Sequence, residues 1–234
     1  MQLPSVMELL QSGVHFGHQK GRWHPKMKPY IFAERNGVYV IDLEKTVEKL
    51  AEATDFVEKI GANGGTVLFV GTKSQGKKII RKYADQAGMP YITERWVGGL
   101  FTNFGNVGKL IKKYKSLKEQ KESGALAKYT KKEQVNIDKE IERLEKMVGG
   151  LEIMTKLPDA VFILDSKHEK TALLEARKRK IPVISFADTN INPETLDYPI
   201  PANDDAVNSI ELITKTIAEA INFGKVKGNK EGNK

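Results

Sequence analysis

The sequence predicts an α/β protein in which helices flank a parallel β-sheet, with a helical hairpin inserted near the middle of the chain. Short apolar runs alternate with stretches of helical spacing on both sides of that insertion. Such alternation is typical of right-handed βαβ units built on a parallel sheet. Residues 105–150 interrupt the alternation, because they contain only helical patterns and many lysines.

Composition narrows the classes of function. The 234 residues include 38 Lys and Arg against 30 Asp and Glu, which gives a net charge of +8. An excess of this size favours a polyanionic partner, either a nucleic acid or an anionic membrane. Cysteine is absent from the sequence, which excludes disulfides, thiol catalysis and cysteine-ligated zinc. Neither a spanning apolar run nor a secretory signal is found, so a cytoplasmic protein is expected.

The N-terminal segment combines a short helix with a basic loop. Ser5 and Glu8 have the spacing of a capping box, which predicts that a helix begins there. His15–Lys28 is basic and aromatic and is interrupted by glycine and proline, so we expect an exposed loop.

Regular elements follow in the first half of the chain. Asn36-Gly37 lies between two β-prone runs and predicts a hairpin. Apolar residues in Leu43–Ile60 recur at helical spacing. Thr66–Val70 and Tyr91-Ile92 are short apolar runs that predict strands, and a helical pattern between them ends near Gly88.

The second half repeats the alternation. It contains two buried strands, the helix between them, an extended loop, a last helix capped by Asp204 or Asp205, and a disordered tail. The strands are Ala160–Leu164 and Pro182–Phe186, and the helix between them covers about His168–Lys180. The loop is Asn190–Asn203, the last helix runs through Ile221, and the tail is Lys225–Lys234.

The inserted segment predicts an antiparallel, coiled-coil-like hairpin of two helices. Apolar residues keep a 3–4 spacing in both arms, and Thr130 and Glu133 form a capping box at the start of the second. Lys109–Lys121 holds six Lys against one Glu, whereas Thr130–Val148 is balanced, with five basic and five acidic residues. A phosphate backbone would account for the excess in the first arm.

Glu94–Phe104 lies where the helical arm leaves the α/β core. Arg95 and Trp96 place a cation beside a flat ring next to the flexible Gly98-Gly99. Arginine and aromatic surfaces suit an RNA site. The alternative is a packed hinge in which Trp96 is buried and Arg95 is satisfied locally.

Gly71–Lys78 resembles a phosphate-binding P-loop, since it follows a strand and opens a helix. Asp165, at the end of a later apolar strand, resembles a magnesium ligand. However, Lys78 occupies the position where a hydroxyl should bind Mg²⁺. An RNA-backbone site around Lys73 and Lys77 and a solvated helix face remain alternatives, and nucleotide hydrolysis is a third.

Three of the four histidines, His15, His18 and His24, lie in one loop. Histidine can bind zinc, but no acidic residue lies between Glu8 and Glu34 to complete a catalytic site. Contacts of the loop with RNA, or support of the loop fold by His15, are the other interpretations.

Several motifs, taken together, resemble the bacterial ribosomal protein S2 family over about Val6–Phe223. The motifs are Gly13–His18, Arg22–Ile31, Arg35–Gly37, Ile41–Leu43, Phe69–Lys73, Arg95–Asn103, Pro158-Asp159 and Pro199–Asp205. The resemblance implies a flavodoxin-like, Rossmann-like three-layer fold with a protruding hairpin. It implies binding to small-subunit ribosomal RNA, contact with neighbouring ribosomal proteins and no catalysis, and it leaves open whether ribosomal protein S1 is a partner.

We therefore expect a structural component of the small ribosomal subunit, without an enzymatic activity, a cofactor, a resident metal or a membrane partner. The expected divisions are a core in residues 1–104 and 151–224, the hairpin in 105–150, and a tail in 225–234. The predicted RNA-contacting residues are His15, His18, Lys20, Arg22, Trp23, His24, Lys26, Lys28, Lys73, Lys77, Arg95, Trp96, Asn103, Lys109, Lys112 and Lys113.

Overall fold

The computed structural model describes residues 2–231 and shows an α/β architecture built on a five-stranded sheet. All neighbouring strands of this sheet run parallel, in the order β5-β4-β6-β7-β8. The strands are β4 Val67–Val70, β5 Tyr91–Ile92, β6 Ala160–Ile163, β7 Val183–Phe186 and β8 Tyr198–Ile200. A smaller antiparallel sheet, in the order β1-β3-β2, contains β1 Phe16–Gln19, β2 Ile31–Arg35 and β3 Val38–Ile41.

Seven α-helices surround these sheets in the described part of the chain. They are α1 Val6–Gln11, α2 Leu43–Ala62, α3 Lys77–Ala87, α4 Phe104–Glu122, α5 Lys131–Val148, α6 Lys170–Lys178 and α7 Val207–Glu231. Both predicted capping boxes are present, at Ser5 and Thr130. No helix among residues 2–231 has the length and apolar character needed to cross a membrane.

The parallel sheet separates two apolar cores, because alternate residues of a strand point to opposite faces. In β4, Val67 and Phe69 join the core beneath α2, α3 and α7. Leu68 and Val70 join the other core, to which α4, α5 and α6 contribute. This arrangement of helices on both sides confirms the predicted α/β class with a flanked parallel sheet.

The hairpin predicted at Asn36-Gly37 is confirmed. It joins β2 to β3, and both turn residues have positive φ, 51° at Asn36 and 76° at Gly37. The two-residue type I′ turn requires this backbone conformation, which Asn and Gly adopt most readily.

Two segments predicted as loops contain regular structure. The basic N-terminal segment contributes β1 and two short 3-10 helices, and its Met27 is fully buried. The segment Asn190–Asn203 contains β8, which pairs with β7 at one edge of the sheet. The sequence did not predict this strand because it contains Pro199, which has no backbone N–H to donate. A strand at the edge of a sheet tolerates that missing donor.

The start and end of α7 both differ from the prediction. Asn203 Oδ1, rather than Asp204 or Asp205, accepts the amides that precede the helix, those of Asp205 and Ala206. Residues 225–231, predicted to be disordered, continue α7, and residues 232–234 lie outside the described part. This last part of α7 packs closely against α2, and Gly228 allows the contact, because a Cβ there would lie 2.1 Å from the carbonyl oxygen of Ala62.

Candidate nucleic-acid interface

The basic N-terminal segment, residues 15–28, is attached to the carboxyl end of β7 by a buried polar cluster. His18 Nδ1 lies 2.8 Å from Asp188 Oδ1, and the His18 amide donates to Thr189 Oγ1 over 2.8 Å. Gly17 permits this approach, since a Cβ there would lie 2.5 Å from Thr189 Cγ2. Hydrogen bonding to Asp188 outweighs burial and raises the pKa of His18 above its usual value. His18 thus positions the segment rather than presenting itself to a partner.

His15, Trp23 and His24 are half-buried, whereas Phe16 is exposed. Trp23 packs against Tyr39 with ring centroids 5.1 Å apart. His24 Nδ1 accepts the amide of Lys26 over 3.2 Å. Burial lowers the pKa of His15, which therefore favours the neutral ring. These contacts agree with a supporting role for His15, Trp23 and His24.

Several of the predicted RNA-contacting lysines already have acidic partners within the chain. These pairs are Lys20 with Glu34, Lys26 with Glu194, Lys77 with Glu94 and Lys113 with Glu140. Arg22 and Lys28 are exposed and have no ion pair within residues 2–231. An exposed ion pair contributes little to stability and is readily exchanged, so pairing reduces the free charge without removing the lysine from the surface.

Lys73 is a different case, because its ammonium group is enclosed by three carboxylates. It lies 2.8 Å from Asp165 and 2.9 Å from both Asp204 and Asp205. Burial alone would lower the pKa of Lys73, but the three carboxylates raise it well above its usual value. The ammonium group joins three segments of the chain, so a phosphate would have to compete with three carboxylates for it.

The carboxylates of this cluster outnumber its cation. Burial and the neighbouring Asp188 and Asp165 raise the pKa of Asp204 to about 7, although Lys73 opposes the shift. His18, Asp188 and Asp204 each place a potential metal-ligand atom within 4.8 Å of the others. The Lys73 ammonium already supplies positive charge at Asp204, so the cluster is partly compensated without an ion. The predicted trio of His15, His18 and His24 forms no such group among the described residues.

Several backbone amides of the near-P-loop already have acceptors within the chain. The Thr72 amide and hydroxyl both donate to Glu169 Oε1, the amide over 3.1 Å. The amides of Gly76 and Lys77 donate to the carbonyl oxygen of Lys73, over 2.9 Å and 3.1 Å. A carboxylate and a backbone carbonyl therefore occupy donors that a nucleotide phosphate would need. This geometry weakens the nucleotide-hydrolysis alternative.

The Arg95–Asn103 segment is organised by Glu175, a buried residue of α6. Its Oε1 accepts the indole N–H of Trp96 over 3.1 Å and the Gly99 amide over 2.7 Å. Its Oε2 accepts the amides of Phe101 and Thr102, over 3.0 Å and 3.2 Å. Burial would raise the pKa of Glu175, but these donors lower it below its usual value. Glu175 stays ionised and fixes the path of the segment.

Arg179, four residues after Glu175, holds the same segment. Its guanidinium donates to the carbonyl oxygens of Phe101 and Thr102, over 2.9 Å and 2.8 Å. Trp96 is only 9% exposed, which agrees with the packed-hinge alternative for this residue. Sequence reasoning missed Glu175 and Arg179, because their partners lie more than 70 residues earlier in the chain.

Arg95 and Asn103 carry the exposed side chains of the segment, and Gly98 between them is also exposed. Together with Leu110 and Met147, they line an open hollow of about 730 Å³ between the segment and the base of α4 and α5. The hollow combines apolar walls with a guanidinium and an amide, groups suited to contacting a base and its phosphate.

The lysines of α4 divide into two groups. Lys113, Lys118 and Lys121 pair with acids of the following segment. Lys109, Lys112 and Lys115 are exposed and have no ion pair in the part of the chain that the structure describes. The excess positive charge counted in the sequence is thus only partly available to a partner.

These features define an α/β scaffold protein whose buried polar clusters hold loops in place beneath a surface of exposed cations. Comparison with known proteins agrees with that class. The profile of the family described as Ribosomal protein S2 matches residues 9–224. A relative from Coprothermobacter proteolyticus, named "Small ribosomal subunit protein uS2", is 51% identical over 225 residues, covering 96% of this chain and 84% of the relative. The chain belongs to the ribosomal protein S2 family of the small ribosomal subunit, which implies a structural role in the ribosome.

Proposed function

We propose that this chain is a structural component of the small ribosomal subunit that binds small-subunit ribosomal RNA through exposed cations on rigidly held segments. The observation that carries the proposal is the fixed Arg95–Asn103 segment, where five hydrogen bonds to Glu175 hold the backbone beneath the exposed Arg95. A segment already held in its bound shape loses little entropy on binding RNA.

The predicted RNA contacts separate into outward groups and supporting groups. Arg22, Lys28, Arg95, Lys109 and Lys112 are exposed cations without an internal ion pair among the described residues, and they form the primary phosphate-binding set. Lys20, Lys26, Lys77 and Lys113 join them by exchanging an internal carboxylate for a phosphate, and Asn103 supplies an amide. His15, His18, Trp23, His24, Lys73 and Trp96 support the segments that carry these groups.

The helical arm extends the interface away from the core. We propose that α4 and α5 form an antiparallel coiled-coil hairpin, because their ion pairs join Lys113 to Glu140 and Lys121 to Asp138. Residues 105–150 then form a separate projection, and residues 1–104 and 151–224 form one core. Neighbouring small-subunit proteins are the expected protein partners, the cytoplasmic ribosome is the site of action, and ribosomal protein S1 is a partner to be tested.

Rebinding to ribosomal subunits tests this function. Small subunits depleted of their own S2-family protein are mixed with the labelled chain and sedimented at increasing salt concentration. We expect saturable rebinding that weakens steeply with salt, since each phosphate contact contributes about 0.7–0.9 to the slope of log affinity against log salt. The variant Arg95→Gln should bind several-fold more weakly, whereas Lys59→Gln on the exposed face of α2 should bind like the parent. Rebinding that is insensitive to a tenfold increase in salt would contradict the proposal.

A further inference from the structure

The outer face of α6 carries positive charge only. The sequence shows the charged residues but not that both acids point inward. Residues 167–180 contain six cations and two acids. Both acids are turned inward: Glu169 is 5% exposed and bonds to Thr72, and Glu175 is 9% exposed and holds the Arg95–Asn103 segment. The six cations are all exposed, and none of them has an ion pair within residues 2–231; they are Lys167, Lys170, Arg177, Lys178, Arg179 and Lys180.

Helix geometry places Lys170, Arg177 and Lys178 on one side of α6. Arg179 follows the inward Glu175 by four residues and points to the same side as that carboxylate. Lys170, Leu174 and Lys178 are spaced four residues apart, so they follow one another along the same side of α6. The ends of this row lie about 12 Å apart along the helix axis, a length that spans several phosphates of a nucleic acid. Arg179 connects the row to the Arg95–Asn103 segment through the carbonyl oxygens of Phe101 and Thr102.

The acidic groups near this face lie at its edge. Glu194 and Asp197 share a hollow of about 300 Å³ with Arg177 and Lys180. Glu194 is paired with Lys26, and Asp197 accepts the Val183 amide over 2.8 Å. Among the described residues, no carboxylate forms an ion pair with a lysine or arginine of α6. In α4, by contrast, acidic residues of α5 neutralise two of the lysines.

We propose that the outer face of α6, residues 167–180, is a second RNA-backbone-binding surface, continuous with the Arg95–Asn103 segment. The inference rests on the proposed function and adds to it a surface absent from the predicted contacts. Leu174 is the one large apolar side chain exposed on α6, at 55%. A helix that lies on a membrane needs a broad apolar face beside its cations, so charge complementarity favours a phosphate backbone.

Charge removal on two faces tests this surface. The variant Lys170→Gln, Arg177→Gln, Lys178→Gln is compared with Lys45→Gln, Lys49→Gln, Lys59→Gln on α2, which loses the same three charges on the opposite side of the sheet. In rebinding to depleted small subunits, we expect the α6 variant to lose about tenfold or more in affinity and about two in salt slope. The α2 variant should remain within about twofold of the parent with an unchanged slope.

Site-specific crosslinking identifies the partner. Because the chain has no native cysteine, Leu174→Cys and Asp55→Cys each provide one site for a thiol-linked photo-crosslinker. We expect position 174, in rebound subunits, to crosslink to RNA at least about fivefold more than position 55 on α2 does. Crosslinks from position 174 to ribosomal proteins alone would overturn the inference. So would binding to anionic vesicles that is lost in the α6 variant while rebinding to subunits is retained.

The outcomes separate this inference from the function on which it rests. If the parent rebinds with a steep salt dependence and the α6 variant matches the α2 variant, the α6 surface is refuted and the proposed function stands. If the parent fails to rebind to depleted subunits, both are refuted. Circular dichroism and thermal unfolding of each variant show that a loss of rebinding reflects charge rather than misfolding.

Discussion

Two buried polar clusters hold loops against the same α/β core, but they do so with different chemistry. Around Lys73, three carboxylates share one ammonium group, so charged groups hold charged groups. Around Glu175, one carboxylate accepts backbone amides and an indole N–H, none of which titrates. We call these the Lys73 cluster and the Glu175 cluster.

The difference determines how each cluster responds to its surroundings. In the Lys73 cluster, negative charge exceeds positive charge, and the pKa of Asp204 is raised to about 7 by burial and by its acidic neighbours. In the Glu175 cluster, the amide donors outweigh burial and lower the pKa of the carboxyl, which remains ionised at neutral pH. The Lys73 cluster is therefore sensitive to pH in the physiological range, and the Glu175 cluster is not.

The largest expected effect comes from removing the shared cation. Lys73→Met leaves three carboxylates together without a counter-charge and should lower the free energy of unfolding by about 3–4 kcal/mol at pH 7. The exposed Lys78→Met, five residues later in the chain, is the control and should change stability by less than about 0.5 kcal/mol. Urea unfolding followed by circular dichroism measures both. A loss below about 1 kcal/mol for Lys73→Met would show that the carboxylates do not depend on the ammonium group.

The roles of these clusters explain which predictions from the sequence succeeded. Apolar runs such as Thr66–Val70 predicted buried strands because burial on both faces leaves a local signature. The enclosure of Lys73 had no local signal, because its partners Asp165 and Asp204 are about 90 and 130 residues away and only the folded chain brings them close. Glu175 carried no signal, since a single acid within a basic helix looks like an exposed residue.

Close backbone packing was equally hidden from sequence reasoning. Gly228 fell within the segment predicted to be a disordered tail, and Gly224 just before it, yet both allow α7 to contact the backbone of α2. A Cβ at Gly224 would lie 2.0 Å from the carbonyl oxygen of Glu58. Composition alone does not distinguish a flexible glycine from one selected for close approach.

Neutralising Glu175 tests the other cluster. Glu175→Gln keeps the size of the side chain but replaces one acceptor oxygen by an NH2 donor that faces backbone amides. We expect the free energy of unfolding to fall by about 2–3 kcal/mol. Rebinding to small subunits should also weaken, because the Arg95–Asn103 segment would lose its fixed path. Glu122→Gln, at the exposed end of α4, is the matched control. Unchanged stability together with unchanged rebinding would contradict the positioning role of Glu175.

The pH dependence of stability separates the two clusters directly. Asp204 has a raised pKa in the folded protein, so between about pH 4 and pH 7 the folded state binds more protons than the unfolded state. Stability from this group is therefore present at low pH and is lost as pH rises toward 7. Relative to Asp204→Asn, the parent should lose about 1–2 kcal/mol between pH 5 and pH 8.

Other titrating groups are controlled by the comparison of variants. His18 also has a raised pKa, so its contribution to the free energy of unfolding falls as pH rises. His15 has a lowered pKa, so its contribution changes in the opposite direction. Subtracting the Asp204→Asn profile removes the contribution of His15, whose pKa is lowered by burial alone. The part of the His18 contribution that depends on Asp204 stays in the difference and has the same sign as that of Asp204. The Glu175→Gln profile should run parallel to the parent between pH 5 and pH 8, because the lowered pKa of Glu175 places its titration below this range. Parallel parent and Asp204→Asn profiles would refute the distinction between the clusters.

The smallest expected effect separates the geometry of the Glu175 cluster from its charge. Arg179→Lys keeps the positive charge but loses the planar fork that reaches the carbonyl oxygens of both Phe101 and Thr102. We expect a loss of about 1 kcal/mol in the free energy of unfolding and faster hydrogen exchange confined to the Arg95–Asn103 segment. Lys180→Arg, next to it, is the control. Because the net charge is unchanged, any weakening of RNA binding by Arg179→Lys measures the positioning of the Arg95–Asn103 segment. Hydrogen exchange identical to the parent's would show that Glu175 alone holds this segment.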